Sequence, residues 1–327
     1  MRISQDSSLD ATARLRRASA ISLLLLPLAQ SAIAGPLEEA RWLAPGVDRA
    51  AALSVSPGEC FAPPEDAETA YLAEVGRAAF NSPRLLGGQA SRAGLSCASC
   101  HVDGRSNPDF HLEGLSGAPG TADVTSSIFS EVREDGVFNP VRIPTLVGAA
   151  DHASFGSMAP AASLHDFVAA AVVDEFRAET PAGTVLEGLV AYISALDADA
   201  CVDGPVARSP RRAMDDVRRV LNAARKAYAR NDIAAADFLL VSAQAGLGTV
   251  SARFPAPQHA GLREELEAVS RKIAEIRAET DSAAAQAKLG RILRSVKALS
   301  KRLHRERAAS LYDRRKLQEY FARREGD

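Results

Sequence analysis

A single five-residue run, Cys97-Ala98-Ser99-Cys100-His101, constrains the fold of this 327-residue chain more than any other feature. Two cysteines at this spacing occur in zinc sites, in thioredoxin-like redox pairs and, with the adjacent histidine, in the attachment sequence of c-type haem. A zinc site needs a second pair of ligands, whereas the other cysteines, Cys60 and Cys201, are single and distant in sequence. A redox pair normally begins a helix in a βαβ unit, and no strands are evident here. The run therefore favours haem attachment.

Haem attachment gives each reactive residue of the run a chemical role. The thiols of Cys97 and Cys100 add to the two vinyl groups of the ring, and the imidazole of His101 binds the iron as proximal ligand. The sequence contains no second Cys-x-x-Cys-His run, so we expect one covalent haem c in each chain. The chemistry expected of such a chain is the transfer of single electrons.

Hydrophobic periodicity predicts helices on both sides of this run. Aromatic residues make up only 5% of the chain and alanine is abundant, a composition that favours helices over strands. Helical spacing is present over Ala67–Phe80, over residues 163–171 with Ser163 as N-cap, and over residues 185–196. Residues 102–142 are rich in Gly, Pro, Asn and Ser and are predicted to be mostly loop.

The C-terminal part is predicted to be helical almost throughout. Its predicted helices are residues 211–230, Ile233–Ala252, 261–278 and a mostly helical stretch over 282–324. The last stretch carries a packing seam made of Leu289, Ile292, Val296, Leu299 and Leu303. The fold class expected is therefore all-α, with a haem domain followed by a helical bundle or coiled hairpin.

Three residues on the helices that flank the haem run resemble the crossed first and last helices of the cytochrome c fold. Gly76 and Phe80 lie on the first helix, and Tyr192 lies on the last. In that fold the glycine lets the two backbones approach closely, and the aromatic rings pack at the crossing. The resemblance implies a cytochrome c-like domain; the alternative is that the three residues are ordinary core.

Three further segments resemble one half of the bacterial di-haem cytochrome c peroxidase and methylamine-utilisation (MauG-like) family. They are the long run between Phe80 and Cys97, residues 142–146 and residues 163–168. The resemblance covers about residues 67–200. Members of that family carry two haem motifs and an aromatic relay between haems, whereas this chain has one motif and its only tryptophan, Trp42, precedes the domain. Peroxidase activity is therefore the alternative and not the leading expectation.

The iron's second axial ligand is predicted to be Met158. It lies 57 residues after His101, in the loop before the helix at Ser163, where the resemblance places a distal methionine. His152 in the same loop is the second candidate. The remaining histidines are not expected to bind iron: His165 should cap or hydrogen-bond its helix, His111 is too close to His101, and His259 and His304 are predicted to be at the surface.

Supporting residues follow from what a bound haem requires. By resemblance, Pro144 is expected to place its carbonyl oxygen on the free ring nitrogen of His101, which would fix the tautomer of the imidazole. Arg105 and Arg142 are candidates to pair with the haem propionates, and the alternative for each is an ordinary solvated arginine. Cys60 and Cys201 bracket the haem domain, so in an oxidising compartment we predict a disulfide between them rather than two free thiols.

The first 34 residues have the parts of an export signal. Arg14, Arg16 and Arg17 form a basic region, an apolar stretch over residues 21–28 follows, and small residues precede a predicted cleavage after Ala34. The apolar stretch is shorter than the ~20 residues of a membrane span, which argues against the alternative of an uncleaved anchor. The mature protein is therefore expected in the periplasm, without a membrane span.

Charge divides the mature chain in two. Residues 35–204 hold 9 Lys and Arg against 24 Asp and Glu, a net charge of −15, and residues 205–327 have a net charge of +11. Opposite charges imply two modules with different surfaces. The predicted organisation is a signal peptide over 1–34, an irregular extension over 35–66, a cytochrome c-like haem domain over 67–203 and a basic helical domain over 206–327.

The function expected from these features is a periplasmic monohaem cytochrome that exchanges electrons with a redox partner protein. No nucleic-acid partner is expected. The basic helices are available to dock a partner, to self-associate or to fold back on the acidic domain. The alternative is a peroxidase-like haem enzyme with an open distal site, and the spin state of the iron would distinguish the two.

Overall fold

Helices dominate the part of the chain that the computed structural model describes, which is residues 37–129, 131–156 and 160–325. The predicted signal peptide and Met158 lie outside these residues. The first helices are α1 (Arg49–Ala52), α2 (Ala67–Phe80), α3 (Gly88–Ala93), α4 (Cys97–Cys100), α5 (Leu164–Ala170) and α6 (Gly183–Ser194). The later helices are α7 (Pro210–Ala229), α8 (Ile233–Ala252), α9 (Ala260–Arg277), α10 (Ser282–Arg305) and α11 (Arg314–Glu325).

The predicted helices are present, and side-chain caps explain where they begin. Asp66 accepts a hydrogen bond from the backbone N–H of Thr69 at 2.8 Å and starts α2. Ser163, the predicted cap, accepts from the N–H of Asp166 at 3.0 Å and starts α5. Each bond satisfies a backbone donor that the first helical turn leaves without a partner. The prediction of a mostly helical fold is confirmed.

The predicted stretch over 282–324 is interrupted once. All five residues of its seam are buried on α10, but that helix ends at Arg305 and α11 starts only at Arg314. Between them, the N–H of Leu311 donates to the carbonyl oxygen of Arg253 at 2.8 Å. Leu311 and Tyr312, which lie in this break, are buried. Helical periodicity could not predict the break, because it depends on a contact with a distant segment of the chain.

The described residues contain two short antiparallel ladders that the sequence did not reveal. The first pairs β1 (Val55–Ser56) with β4 (Val206–Ala207), and the second pairs β2 (Thr121–Ala122) with β3 (Val141–Arg142). Two-residue strands are too short for an alternating pattern to show. The first ladder joins the N-terminal extension to the start of the C-terminal helices, and the second orders the loop that follows the haem run.

Helices α2 and α6 cross at a pair of glycines. A Cβ atom added to Gly76 would lie 1.8 Å from the carbonyl oxygen of Gly188, so neither helix can carry a side chain at this point. The ring of Tyr192 packs on that of Phe80 with centroids 5.2 Å apart. The close crossing expected from Gly76, Phe80 and Tyr192 is therefore present, and Gly188 is the partner that the sequence analysis missed.

The disulfide between Cys60 and Cys201 is confirmed, with a Cα–Cα distance of 4.0 Å. Backbone hydrogen bonds extend the same connection: the N–H of Asp197 donates to the carbonyl oxygen of Cys60, and the N–H of Ala62 to that of Ala195, both at 2.8 Å. The bridge therefore fastens the segment before α2 to the segment after α6.

The basic C-terminal helices fold back on the acidic part of the same chain. All described residues fall in one compact unit, in which α7 and α8 pack against α2. The buried hydroxyl groups of Ser242 on α8 and Ser82 share a hydrogen bond with their oxygens 3.0 Å apart. Ion pairs of opposite charge cross the same boundary: Glu39–Arg208, Glu39–Arg253, Asp48–Arg314, Glu68–Arg230 and Glu74–Arg219.

One helix of the described part, α8, is long and apolar enough to cross a membrane by length and composition alone. In the fold it lies within the C-terminal bundle, in contact with α7, α9 and α2. Leu239, Leu240 and Leu247 are buried in these contacts. The buried side of α8 is part of the core of the bundle.

Candidate haem site

The haem run forms a one-turn helix that presents both thiols on one side. Residues three apart on a helix share a face, so α4 places Cys97 next to Cys100. Both are half-buried free thiols. Ser96 and Ser99 form a reciprocal capping box around the turn, and the side-chain amide of Asn107 donates to the carbonyl oxygen of Ser99 at 2.9 Å. Hydrogen bonds within the protein alone therefore hold this turn in place.

His101 leaves the helix and meets the segment predicted to support it. Its Nδ1 lies 3.0 Å from the carbonyl oxygen of Pro144. A carbonyl oxygen can only accept, so Nδ1 carries the proton and Nε2 keeps the lone pair that binds a metal. The N–H of Leu146 donates to the carbonyl oxygen of Gly104 at 2.9 Å and holds this segment against the haem run.

Burial keeps the imidazole neutral. It lowers the pKa of His101 to about 4, against the smaller opposing effect of the bond to Pro144. A neutral imidazole is the form that binds iron or zinc. At neutral pH the side chain therefore has both the tautomer and the charge state that ligation requires.

The two thiols differ from those of a redox pair. Burial raises the pKa of Cys97 to about 12 and raises the pKa of Cys100 as well. Redox-active Cys-x-x-Cys pairs instead have a thiolate stabilised by a lowered pKa. Among residues 37–129, 131–156 and 160–325, no three His, Cys, Asp or Glu side chains converge as a metal site. Neither a thioredoxin-like pair nor a zinc site is therefore supported.

Arg105 carries a donor suited to an anionic group. Its Nε–H donates to the carbonyl oxygen of Gly58 at 3.1 Å, while its Nη2 is buried without a partner in the described part of the chain. A buried guanidinium nitrogen left without an acceptor is costly, and a carboxylate would satisfy it. Arg142, the other predicted propionate partner, is exposed. The residues present therefore fit a covalent haem, with Arg105 the better placed of the two arginines.

An apolar cleft of about 510 Å³ begins two residues before the haem run. The sequence analysis assigned Trp42 to an irregular extension, but its buried ring lines this cleft with Leu95. The carbonyl oxygen of Trp42 accepts from the N–H of His111 at 2.8 Å, which holds the extension against the loop after the haem run. The other lining residues are Gln89, Arg92, Ala93, Leu112, Ser127, Ile128 and Phe129.

The distal side is described only in part. His152, the second candidate for the sixth ligand, is exposed at the end of a 3-10 turn, Ala149–Asp151. Met158, the first candidate, falls outside the described residues, so its role stays a prediction. His165 lies half-exposed with its Nδ1 3.5 Å from a carboxylate oxygen of Asp166, in keeping with the local role expected for it.

The prediction that His259 is at the surface is wrong. Its side chain is 1% exposed and packs edge-on against the ring of Phe254, with centroids 5.3 Å apart. Neither ring nitrogen has a hydrogen-bond partner within the described residues. A lone histidine in a basic helical segment carries no sequence signal that separates this buried site from a surface one.

Two charged residues near the haem run escaped the sequence analysis. Glu175 ends a π-helical turn, Ala171–Glu175, that continues α5, and Arg133 lies 42 positions earlier in a loop. Their side chains form a buried ion pair. Charged residues this far apart in sequence have no shared motif, so only the fold brings them together.

Comparison of the chain with protein-family models, curated proteins and solved structures found no match.

Proposed function

We propose that this chain is an exported, periplasmic monohaem cytochrome c that transfers single electrons. One haem c would be attached through Cys97 and Cys100, with His101 as the proximal iron ligand and Met158 as the predicted distal ligand. The observation that carries the proposal is the 3.0 Å contact between His101 Nδ1 and the carbonyl oxygen of Pro144, beside two protonated thiols on one helical turn. This arrangement leaves Nε2 free for iron.

The bound haem would supply one-electron Fe(III)/Fe(II) chemistry. The protein's own residues would set the conditions for it. Pro144 would hold the ring of His101 in one tautomer, and Arg105 would offer its Nη2 to a propionate. The close crossing of α2 and α6 at Gly76 and Gly188 supports the proposal of a cytochrome c-like domain. Leu95 and Trp42 would contribute apolar surface to the neighbouring cleft.

Partners follow from the same proposal. Electrons would enter and leave through a redox partner protein. The basic C-terminal helices already form ion pairs with acidic residues of the same chain, such as Arg230 with Glu68 and Arg253 with Glu39. Self-association through these helices would therefore use the side that faces away from α2.

Haem attachment is tested by producing the full chain, with its signal, in a bacterium that carries a c-type maturation system. Haem should stay on the polypeptide in a denaturing gel, and a Cys97→Ala, Cys100→Ala variant should lose it completely. A Cys60→Ser, Cys201→Ser variant is the matched control, because it removes two thiols and leaves the haem run intact. Wild-type protein without covalent haem would contradict the proposal.

The spectrum of the purified protein distinguishes an electron carrier from an enzyme. Methionine ligation predicts a six-coordinate low-spin haem with a Met–iron charge-transfer band in the near infrared. Met158→Ala should then give a high-spin or water-bound haem with a lower potential. A five-coordinate high-spin spectrum in the wild type would instead indicate the peroxidase-like enzyme.

A further inference from the structure

A buried carboxylate, that of Glu175, precedes Phe176, whose ring packs on Phe129 in the wall of the cleft that Leu95 also lines. Glu175 is 6% exposed. One of its oxygens lies 2.7 Å from Nη1 of Arg133, whose side chain is also almost fully buried. A buried acid normally requires such a partner, because removal of its charge from water is costly.

The surroundings of Glu175 connect it to the haem-binding thiols. Its negative charge contributes to the raised pKa of both Cys97 and Cys100, so it acts on the two points of haem attachment through low-dielectric protein. Arg133 faces it from the loop. On its own segment, Asp174 is adjacent in sequence and Arg177 is two residues on.

The loop that carries Arg133 and the segment that carries Glu175 are joined by a second ion pair, which is exposed. We call this contact the junction. Nη1 of Arg177 lies 2.8 Å from a carboxylate oxygen of Glu131, with both side chains largely in solvent. The rings of Phe129 and Phe176 pack between the same two segments, with centroids 5.1 Å apart. The chain therefore offers two acids at one junction, one buried and one exposed, of which only Glu175 contributes to the raised pKa of the thiols.

Glu175 is poised to gain or lose a proton near neutral pH. Burial raises its pKa to about 7, and the attraction of Arg133 opposes this only in part. An added negative charge nearby disfavours the carboxylate further, because like charges in a low-dielectric site repel strongly. Reduction of a bound haem adds such a charge.

We propose that Glu175 is a redox-linked proton-binding site, which takes up one proton when one electron enters the haem held by Cys97, Cys100 and His101. This inference rests on the proposed function. The electron comes from the redox partner protein and the proton from solvent. An O–H bond forms on the Glu175 carboxylate, no bond to the haem breaks, and the proton returns to solvent when the electron leaves.

The proposal fixes how the reduction potential depends on pH. Below the pKa of Glu175 in the oxidised protein, the acid is protonated in both states and the potential is constant. Between that pKa and the higher pKa of the reduced protein, the reduction equilibrium constant falls tenfold for each pH unit. For a one-electron couple a tenfold change corresponds to about 59 mV.

The test is a potentiometric titration of the purified holoprotein from about pH 5 to about pH 9, which spans the range of histidine and perturbed carboxyl titrations. The wild type should show the sloping region. Glu175→Gln should remove it and keep the potential at the wild-type acidic value, because glutamine resembles the protonated acid. Glu131→Gln, at the exposed pair of the same junction, should keep the wild-type slope.

Two controls separate the outcomes. A Glu175→Gln, Arg133→Gln variant removes the charges of both members of the pair, and it should also lack the slope while its circular dichroism stays that of the wild type. In protein produced without haem, Glu175→Gln should lower the pKa of the Cys97 thiol, measured by its alkylation rate. A haem-loaded protein whose slope survives Glu175→Gln overturns this inference alone, and absence of covalent haem in the wild type overturns the proposed function with it.

Discussion

The haem segment, residues 67–203, and the C-terminal helices, residues 206–327, reach their folds by different means. In the C-terminal part, leucines at helical spacing form the core, and every residue of the seam on α10 is buried. Between His101 and Ser163 the haem segment has only short turns and one two-residue ladder among its described residues. Buried polar side chains such as Asp123 and Thr125 hydrogen-bond there in place of regular structure. Periodicity specifies one region, and individual contacts around the haem run specify the other.

The largest expected effect tests whether the two regions differ in their dependence on the proposed haem. In a Cys97→Ala, Cys100→Ala variant, which cannot attach haem, amides of the loops after His101 should exchange with solvent as fast as in an unfolded chain. Amides of α8 and α10 should keep their protection, because their apolar contacts do not involve the haem run. Hydrogen exchange read by mass spectrometry measures both. Equal loss of protection in α10 would show that the C-terminal helices depend on the haem run as much as the haem segment does.

The next effect comes from Arg253, a residue that joins the C-terminal helices to the N-terminal extension, residues 35–66. Arg253 at the end of α8 is 1% exposed and donates from Nη1 to the carbonyl oxygens of Leu53 and Leu311, both at 3.0 Å. Its Nη2 lies 2.9 Å from a carboxylate oxygen of Glu39. Arg253→Ala should lower the free energy of unfolding by about 3–5 kcal/mol, because the carbonyl oxygens of Leu53 and Leu311 lose their donor, at about 1–3 kcal/mol each. Glu39 also loses one of its two arginine partners.

Urea unfolding of the full chain measures this loss. The matched control is Arg271→Ala on α9, which removes an exposed arginine paired with Glu267. It should cost less than about 1 kcal/mol. Similar losses for both arginines would contradict the assignment of Arg253 as the buried link between the C-terminal helices and the N-terminal extension.

Removal of the disulfide should weaken the haem segment by a smaller amount. Cys60→Ser with Cys201→Ser frees the loop between them in the unfolded chain, for an expected loss of about 2–4 kcal/mol in unfolding free energy. Urea unfolding with and without a reductant provides the check: the reductant should destabilise the wild type and leave the double variant unchanged. A wild type that is indifferent to the reductant would show that the bridge does not stabilise the fold.

The smallest expected effect is a pH dependence confined to the C-terminal part. Burial lowers the pKa of His259 below its ordinary value of 6.5. In the window below 6.5 the unfolded chain therefore binds more protons than the folded one, and stability falls as the pH falls. His259→Phe should remove this part of the acid sensitivity, whereas His165→Gln at a half-exposed site should keep it. Urea midpoints on either side of 6.5 would show whether the slopes differ as expected.

The sequence predicts best what depends on local pattern. The cap at Ser163 and the seam on α10 are encoded within a few residues of where they act, and their positions agree with the structure. The contact of His101 with Pro144 and the pairing of Cys60 with Cys201 were also anticipated, the first from a family resemblance and the second from symmetry about the domain.

Long-range features without periodicity were not predictable from one sequence. Gly188 matters only because α6 meets Gly76, and Arg253 matters only because three distant segments converge on it. The ion pair between Glu175 and Arg133 depends on a loop and a π-helical turn, neither of which is predicted by a sequence pattern. Each of these residues owes its role to a tertiary contact between segments that are distant in sequence, and the order of residues along the chain does not reveal such contacts.

The bridge between Cys60 and Cys201 has a consequence for a chain that has been cut. The loop between β2 and β3 exposes Val132, Val137 and Phe138, and exposed loop tips are preferred sites of protease attack. A nick there would leave the fragment that bears Cys60 and the haem run bonded to the fragment that bears Cys201. The nicked protein would migrate as one band without reductant and as two bands after reduction, of which only the N-terminal fragment would carry the proposed haem.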